Sequence, residues 1–355
     1  MMPTDIYAQI LGEYEAESRR RAIPPDRNGI PLIDLTTNDY MGLAKIGAAF
    51  MGEFHGRFGK VSMTSSASRL LAADQEIYER LENYLEQLYN RPALLFNSGY
   101  HANTGVISAL SVPDTLWACD KLIHASMIDG IRLGRADYRR FAHNDVKALR
   151  RILETQSDKY GRIIVAVESV YSMDGDMAPL REIAALRQEF PKMMLYVDEA
   201  HALGVFGNKG AGKLAELGLT AEADIIIGTF GKACASSGAF AVCSGLLKEY
   251  IINSARSFIF STAIAPANAA WTLLMLEALA EMDDRRRHLA EISRQFRDGI
   301  VSLTGEPNPS VSQIVPIMTG DARTALALSK ALEEEGILAL PIRRPTVPPG
   351  GERIR

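Results

Sequence analysis

Lys232 stands in Thr229-Phe-Gly-Lys-Ala-Cys-Ala-Ser-Ser-Gly238, a lysine set among small and apolar residues. Such neighbours strip water from an ammonium group, lower its pKa and make the amine nucleophilic toward carbonyls, the requirement for a Schiff base. A surface lysine after a strand is the plain alternative. A second motif weighs against it. The run Met193-Met-Leu-Tyr-Val197 stops at Asp198-Glu-Ala-His201, which delivers a carboxylate and an imidazole where a buried strand opens. Ligands of open α/β sheets bind outside the carboxyl ends of the strands. An Asp that merely caps a turn is common there, so it is the pairing of Asp198 with Lys232 after the next strand-like run that points to chemistry.

Two further stretches extend the set. Phe96-Asn-Ser-Gly-Tyr-His-Ala-Asn103 follows an apolar run and opens a helix, so the N–H groups of Gly99 and Tyr100 can receive a phosphate at the helix N-terminus. The Thr229 hydroxyl and the Gly/Ser-rich loop behind it offer more contacts of the same kind. His124, in Asp120-Lys-Leu-Ile-His-Ala-Ser126, lies just past another apolar run and suits stacking on an aromatic ring, although alone it reads as a satisfied core histidine. A lysine for an aldehyde, a carboxylate to keep a pyridine nitrogen protonated, a stacking partner and a phosphate cup are what pyridoxal 5'-phosphate requires. The chain offers all four.

These residues need a frame to hold them. Ile77, Leu81, Tyr84, Leu85 and Leu88 recur at helical spacing behind Asp74, which predicts an amphipathic helix over 74–90. Leu180, Ile183, Leu186 and Phe190 predict another, the stretch from Ala267 to Leu303 a long one, and Leu328 and Leu332 a last one that Gly336 ends. Between helices lie short unalternated apolar runs, Ala93–Phe96, Ile163–Val167, Met193–Val197 and Ile225–Phe230, the pattern of strands buried on both faces. Alternating strands and helices predict an α/β fold around a parallel sheet. After about Met275 the pattern changes to charged helices and the strand-like Gly336–Ile342, a smaller α+β unit.

Composition removes several other classes. The 355 residues exceed any small stapled module, and 39 basic against 43 acidic side chains, a formal −4 with no long run of one sign, offer nucleic acid or anionic lipid no basic face. Cys119, Cys234 and Cys243 are odd in number and lack metal-ligand spacing, so neither a disulfide framework nor a metal site is expected, and a reducing cytoplasmic setting fits. The start, Met1 to Ile10, lacks a cationic and then apolar leader, and no run approaches the roughly 18 apolar residues of a membrane span.

The ordered set Asn38-Asp-Tyr-Met-Gly-Leu43, Phe96-Asn-Ser-Gly-Tyr100, His124-Ala-Ser126, Glu168-Ser-Val-Tyr-Ser-Met-Asp-Gly-Asp176, Asp198-Glu-Ala-His201, Thr229-Phe-Gly-Lys232 and Phe260-Ser-Thr262 resembles the α-oxoamine synthases over nearly the whole chain. The resemblance implies a fold-type I pyridoxal-phosphate transferase, aspartate aminotransferase-like, with a mostly parallel sheet flanked by helices and a smaller α+β C-terminal domain. It implies an N-terminal segment at 1–45, a large cofactor-binding domain at 46–275 and a small domain at 276–355. The chain stops at Arg355 where the family continues with a strand and a helix, so a truncated small domain is expected.

Carried over by matching position, the resemblance makes Lys232 the Schiff-base residue and Asp198 the partner of the pyridine nitrogen. His124 covers the ring, Ser172 and His201 contact its hydroxyl, and Gly99, Tyr100 and Thr229 complete the cofactor site. Ser261 and Thr262 look like residues that reach a neighbouring subunit's phosphate, which implies a homodimer. Arg19, His124 and Thr346 match substrate contacts and Arg343 a carboxylate clamp, with Arg20 and Arg21 as competing choices for the first.

Such enzymes condense an amino acid with an acyl thioester and release carbon dioxide. Ile342-Arg-Arg-Pro-Thr-Val-Pro348 and Phe141-Ala-His-Asn-Asp145 look most like the branch that uses L-alanine with pimeloyl-CoA or a pimeloyl-acyl carrier protein in biotin biosynthesis. The alternatives are glycine with acetyl-CoA, another synthase of the family, or a non-catalytic partner subunit that keeps only the fold. Four departures stand out: Met63-Thr-Ser-Ser-Ala-Ser-Arg69 replaces a glycine-rich segment, Ala73-Asp-Gln-Glu-Ile77 replaces a His-containing one, and Cys234 and Ala235 replace a bulkier residue and a glycine.

Overall fold

A computed structural model describes residues 4–26, 30 and 33–355. The start of the N-terminal segment expected at 1–45, residues 1–3, lies outside the described residues, as do 27–29 and 31–32. The chain divides into a large unit, residues 38–172 and 176–291, and a small unit, residues 1–37, 173–175 and 292–355.

The large unit is built on seven strands: β1 (Ala93–Phe96), β2 (Thr115–Asp120), β3 (Asp137–Phe141), β4 (Arg162–Glu168), β5 (Met193–Asp198), β6 (Ile225–Thr229) and β7 (Ala239–Val242). Their order across the sheet is β1-β7-β6-β5-β4-β2-β3. All neighbours pair in parallel except β7, which runs antiparallel to both β6 and β1. The expected parallel sheet therefore carries one reversed strand. Only residues 230–238 join β6 to β7, too few for the crossover that a parallel neighbour needs.

The apolar runs lack alternation because both faces of the sheet are covered. Ile163, Val165 and Val167 of β4 enter one core with Leu81, Leu85, Leu195 and Leu273, while Ile164 and Ala166 enter another with Val106, Ile107, Met127 and Trp117. Each such side chain contributes roughly 1.5–3 kcal/mol of burial. The helices of this unit include α1 (Glu76–Tyr89), α2 (Gly99–Leu110), α3 (Ala125–Gly134), α4 (Val146–Gln156) and α5 (Leu180–Ala185), of which α2 and α3 carry residues of the site. The helix expected over 74–90 is α1, whose N-cap is Gln75 and not Asp74; Asp74, one residue earlier, accepts from the Glu76 N–H at 3.1 Å.

The single long helix expected from Ala267 to Leu303 is two, α6 (Pro266–Ala280) and α7 (Asp283–Thr304). Arg286 folds back to donate to the carbonyls of Leu279 (2.6 Å) and Ala280 (3.3 Å), which satisfies the open C-terminal end of α6. The expected division after 275 falls inside α6. Ala269, Ala270, Leu273–Leu276 and Leu279 are buried in the large unit's core, so that helix cannot leave it, and the units part at 291/292.

In the small unit, α8 (Ala322–Glu334) starts on the Asp321 carboxylate, which accepts from Arg323 and Thr324 N–H groups, and ends before Gly336 with φ +82°. The strand-like stretch from Gly336 is two short strands. Ile337–Leu338 pairs in parallel with Ile33–Asp34, so the N-terminal segment groups with this unit. Pro341–Ile342 pairs with Arg353–Ile354, which also pairs with Ile317–Met318.

Candidate active site at the strand ends of the large unit

Five strands of the sheet, β1, β2, β4, β5 and β6, end at or just before the residues singled out from sequence. Beyond β1, Ser98 caps α2: its hydroxyl accepts from the His101 N–H at 3.2 Å, and the first intrahelical bond is Ala102 N–H to the Ser98 carbonyl. Gly99 and Tyr100 occupy the first turn, ahead of that bond, where helix N–H groups point outward. A Cβ on Gly99 would meet Thr229 Cβ at 3.6 Å, so the helix start and the end of β6 flank a narrow cradle. The Thr229 hydroxyl donates to the Gly238 carbonyl at 3.0 Å and accepts from the Gly231 N–H, which commits its proton to the lysine-bearing loop. Tyr100 is turned outward and donates its hydroxyl to Asp129 at 2.6 Å.

Asp198, 5% exposed, ends β5. Its carboxylate accepts from Asn103 Nδ2 at 2.8 Å and from the Ala200 N–H at 2.9 Å, and Asn103 is itself held by the Tyr196 hydroxyl at 2.6 Å. Sequence reading missed Asn103 and Tyr196, because nothing local marks an Asn in a helix as the orienting partner of an acid 95 positions away.

His124 is the N-cap of α3. Its Nδ1 accepts from the Ser126 N–H (3.3 Å) and faces the Ser126 hydroxyl at 2.7 Å, while that hydroxyl oxygen takes the second Asn103 amide hydrogen at 3.0 Å. The Ser126 proton therefore points at Nδ1, and the neutral ring carries its own hydrogen on Nε2. Burial lowers the pKa of His124, and Lys232 adds to the effect against the pull of Asp198. A neutral imidazole is what lies flat on a ring without electrostatic cost.

Lys232 Nζ lies 3.1 Å from His201 Nε2, and His201 Nδ1 lies 2.7 Å from Tyr40 Oη, whose hydroxyl donates to Asn38 at 3.0 Å. An ammonium only donates, so Nε2 accepts and Nδ1–H turns to Tyr40. Asn38 and Tyr40 belong to the Asn38–Leu43 motif, which carried no assigned role. Ser172 follows β4 on a turn closed by Tyr171 N–H to the Asp176 carbonyl at 2.9 Å. Thr262 bridges to Ser68, and its carbonyl accepts from Asn97 Nδ2 at 2.5 Å, next to the start of α2.

The remaining substrate candidates belong to the small unit. Arg343 donates to the Ser18 carbonyl and to the Arg20 carbonyl (3.4 Å), and Arg21 donates to the Thr346 hydroxyl at 2.9 Å. Arg19 pairs with Glu17 at 2.6 Å and lies over Tyr14. Burial lowers the Arg343 pKa, and the nearby Arg21 lowers it further.

A buried carboxylate with two fixed donors, a neutral imidazole, a lysine amine on a loop and an open helix N-terminus fit the ring nitrogen, ring face, aldehyde and phosphate of pyridoxal phosphate. The family model for class I and II aminotransferases matches residues 30–355. The chain belongs to that family.

Among class I and II aminotransferases the chain is similar to a Pasteurella multocida protein named "Putative 8-amino-7-oxononanoate synthase", 43% identical over 98% of this chain and 93% of that one. In fold it matches serine palmitoyltransferase from Sphingomonas wittichii, with a TM-score of 0.88 and 30% identity, over 100% of this chain and 92% of the other. A further solved chain, described as SPT with PLP, gives a TM-score of 0.87 at 28% identity, over 100% and 93%. The protein is a pyridoxal-phosphate-dependent enzyme of the acyltransferase type, with the fold-type I architecture expected from its sequence.

Proposed function

We propose that this enzyme condenses L-alanine with a pimeloyl thioester, releases carbon dioxide and yields 8-amino-7-oxononanoate, a step of biotin biosynthesis, as a cytoplasmic homodimer. The 43% identity over nearly the whole chain to a protein of that name supports the reading. The observation that carries it is the convergence of Lys232, His201, Asp198 and His124 at the ends of β6, β5 and β2 in one sheet.

Bound pyridoxal phosphate supplies a protonated pyridine ring that takes up the electron pair left when a bond to the amino acid's Cα breaks. The protein's side chains do the rest. Asp198, held by Asn103 and Ala200, keeps the proton on the ring nitrogen. Lys232 would hold the cofactor through its amine, and the same amine, when free, would remove the Cα proton and later return one. His201 accepts from Lys232 and so orients that amine, with Tyr40 and Asn38 behind it. His124 covers the ring, and Gly99 and Tyr100 receive the phosphate. Ser172 would contact the ring hydroxyl, Thr229 would shape the phosphate cradle by holding the lysine-bearing loop rather than by donating its committed hydroxyl proton, and Ser261 and Thr262 would reach the partner subunit's phosphate. Arg19, Arg343 and Thr346 recognise substrate carboxylate and acyl groups.

The fold agreement with serine palmitoyltransferase favours one second reading, another member of this acyltransferase group with a different amino acid and acyl chain. Turnover with a panel of amino acids and acyl thioesters, read by thiol release, tests both. Fastest turnover with L-alanine and a pimeloyl thioester is expected; a faster rate with glycine and acetyl-CoA, or with L-serine and a long acyl chain, overturns the biotin assignment.

A further inference from the structure

Glu168 ends β4 as Asp198 ends β5, and the two are partners in the register of these neighbouring strands. Partners in register project from the same face of a sheet. Both carboxyl groups are thus side by side on the face that carries Asn103 and His124, with Glu168 only 3% exposed. Their surroundings are unequal. Asp198 takes hydrogen bonds from a side-chain amide and a backbone N–H. The Oε1 of Glu168 is buried without a partner, and the backbone of His124 is the main-chain group that favours its charge.

The other charged and titratable groups facing Glu168 are few. Lys232 approaches from the loop after β6 and Asp120 from the end of β2, whose charge is taken by His143; Tyr171 follows on its own strand, and His124 is kept neutral by burial. Two like charges this close in a dry site cannot both persist, and the proton goes to the group with fewer donors. Burial and then the neighbouring Asp198 push the Glu168 carboxyl well above the usual carboxylate range.

We propose that Glu168 is a positioning residue of this site, the proton-bearing half of a carboxyl pair with Asp198, which leaves the pair a single negative charge placed on Asp198. The role is distinct from the choice of substrate and stands whichever thioester the enzyme uses. It explains why an acid occurs at the end of β4 where an apolar residue would otherwise complete a buried strand. At high pH a second negative charge would appear beside the ring nitrogen's partner, and in Glu168→Gln it cannot.

Infrared spectroscopy of the protein, with and without cofactor, tests this through the carbonyl stretch of a protonated carboxyl group. At pH 8 the wild-type minus Glu168→Gln difference should contain one such band. In Asp198→Asn the band should titrate at a pH lower by about one unit or more, because the like charge is gone. Absence of the difference band, or an unchanged midpoint in Asp198→Asn, overturns the proposal. Glu199, buried beside Asp198 and pushed up to about 7 by burial, would also respond to Asp198→Asn, so should Glu168→Gln fail to fold, the wild-type minus Glu168→Met difference identifies the Glu168 band instead, and its absence there overturns the proposal.

Discussion

Lys232 and Asp198 make separable contributions, and substitution tells them apart. Lys232→Ala should lose the borohydride-fixable cofactor adduct and lower turnover by about a thousandfold, the size of a lost general acid–base group; an intact adduct would remove Lys232 from its role. Asp198→Asn should still bind cofactor, because phosphate contacts persist, but lose most exchange of the alanine α-proton, measured by proton NMR in heavy water. Ala235 offers a stability test in the same loop. It sits at φ +44°, a left-handed conformation that costs a side-chain-bearing residue roughly 1 kcal/mol and glycine little. Its N–H bonds to the Lys232 carbonyl at 2.9 Å and its carbonyl to Trp271 Nε1 at 3.1 Å, so the conformation is held. Ala235→Gly should therefore raise the denaturant midpoint, with a gain of about 1 kcal/mol.

His143 acts as a clasp between elements. Its Nδ1 binds Asp120 at the end of β2 (2.8 Å) and its Nε2 binds Asp176 beyond β4 (2.7 Å), while Asn144 adds a bond to Asp176 at 2.8 Å. Burial pulls the imidazole pKa down, but the hydrogen bonds and charges of Asp120 and Asp176 outweigh it and raise it to about 10. A histidine raised from about 6.5 in this way contributes stability that is complete below about pH 6.5 and is lost as pH climbs toward 10. His143→Ala should cost about 2 kcal/mol at pH 7, less than a fully buried pair because the ring is partly exposed. The gap between wild type and mutant in urea unfolding should close as pH rises from 7 to 10. A constant gap would assign His143 a packing role only.

At the scale of the whole chain, the segments joined by the Ser68–Thr262 bridge leave Leu70, Leu71 and Phe260 at 51%, 78% and 70% exposure. Large apolar groups gathered on so small a surface favour burial against another protein surface. The same segments carry Ser261 and Thr262, which the dimer reading assigns to a neighbouring subunit's phosphate. Sedimentation should give a species of twice 38.9 kDa, and dilution to monomer should weaken cofactor binding. A monomer with full cofactor occupancy would contradict the shared site.

The strands at 93–96 and 193–198, the helix over 76–89 and the nucleophilic and acidic residues after them were legible in the sequence, since each depends on residues a few positions apart. Two-faced burial writes itself as an unbroken apolar run, and a polar residue that stops the run marks the strand's open end. Glu168 stops such a run just as Asp198 does, so the signal for its importance was present, but its meaning was not. That came from register: only the pairing of β4 with β5 sets the two acids side by side. The Tyr40–His201 contact spans 161 positions and the bond from Arg343 to the Ser18 carbonyl 325, and no periodicity reaches across such distances. The reversal of β7 likewise follows from a short connection meeting a sheet already in place. Local pattern decides which segments form and where they end, whereas packing decides which ends meet, and the chemistry of this site resides in those meetings.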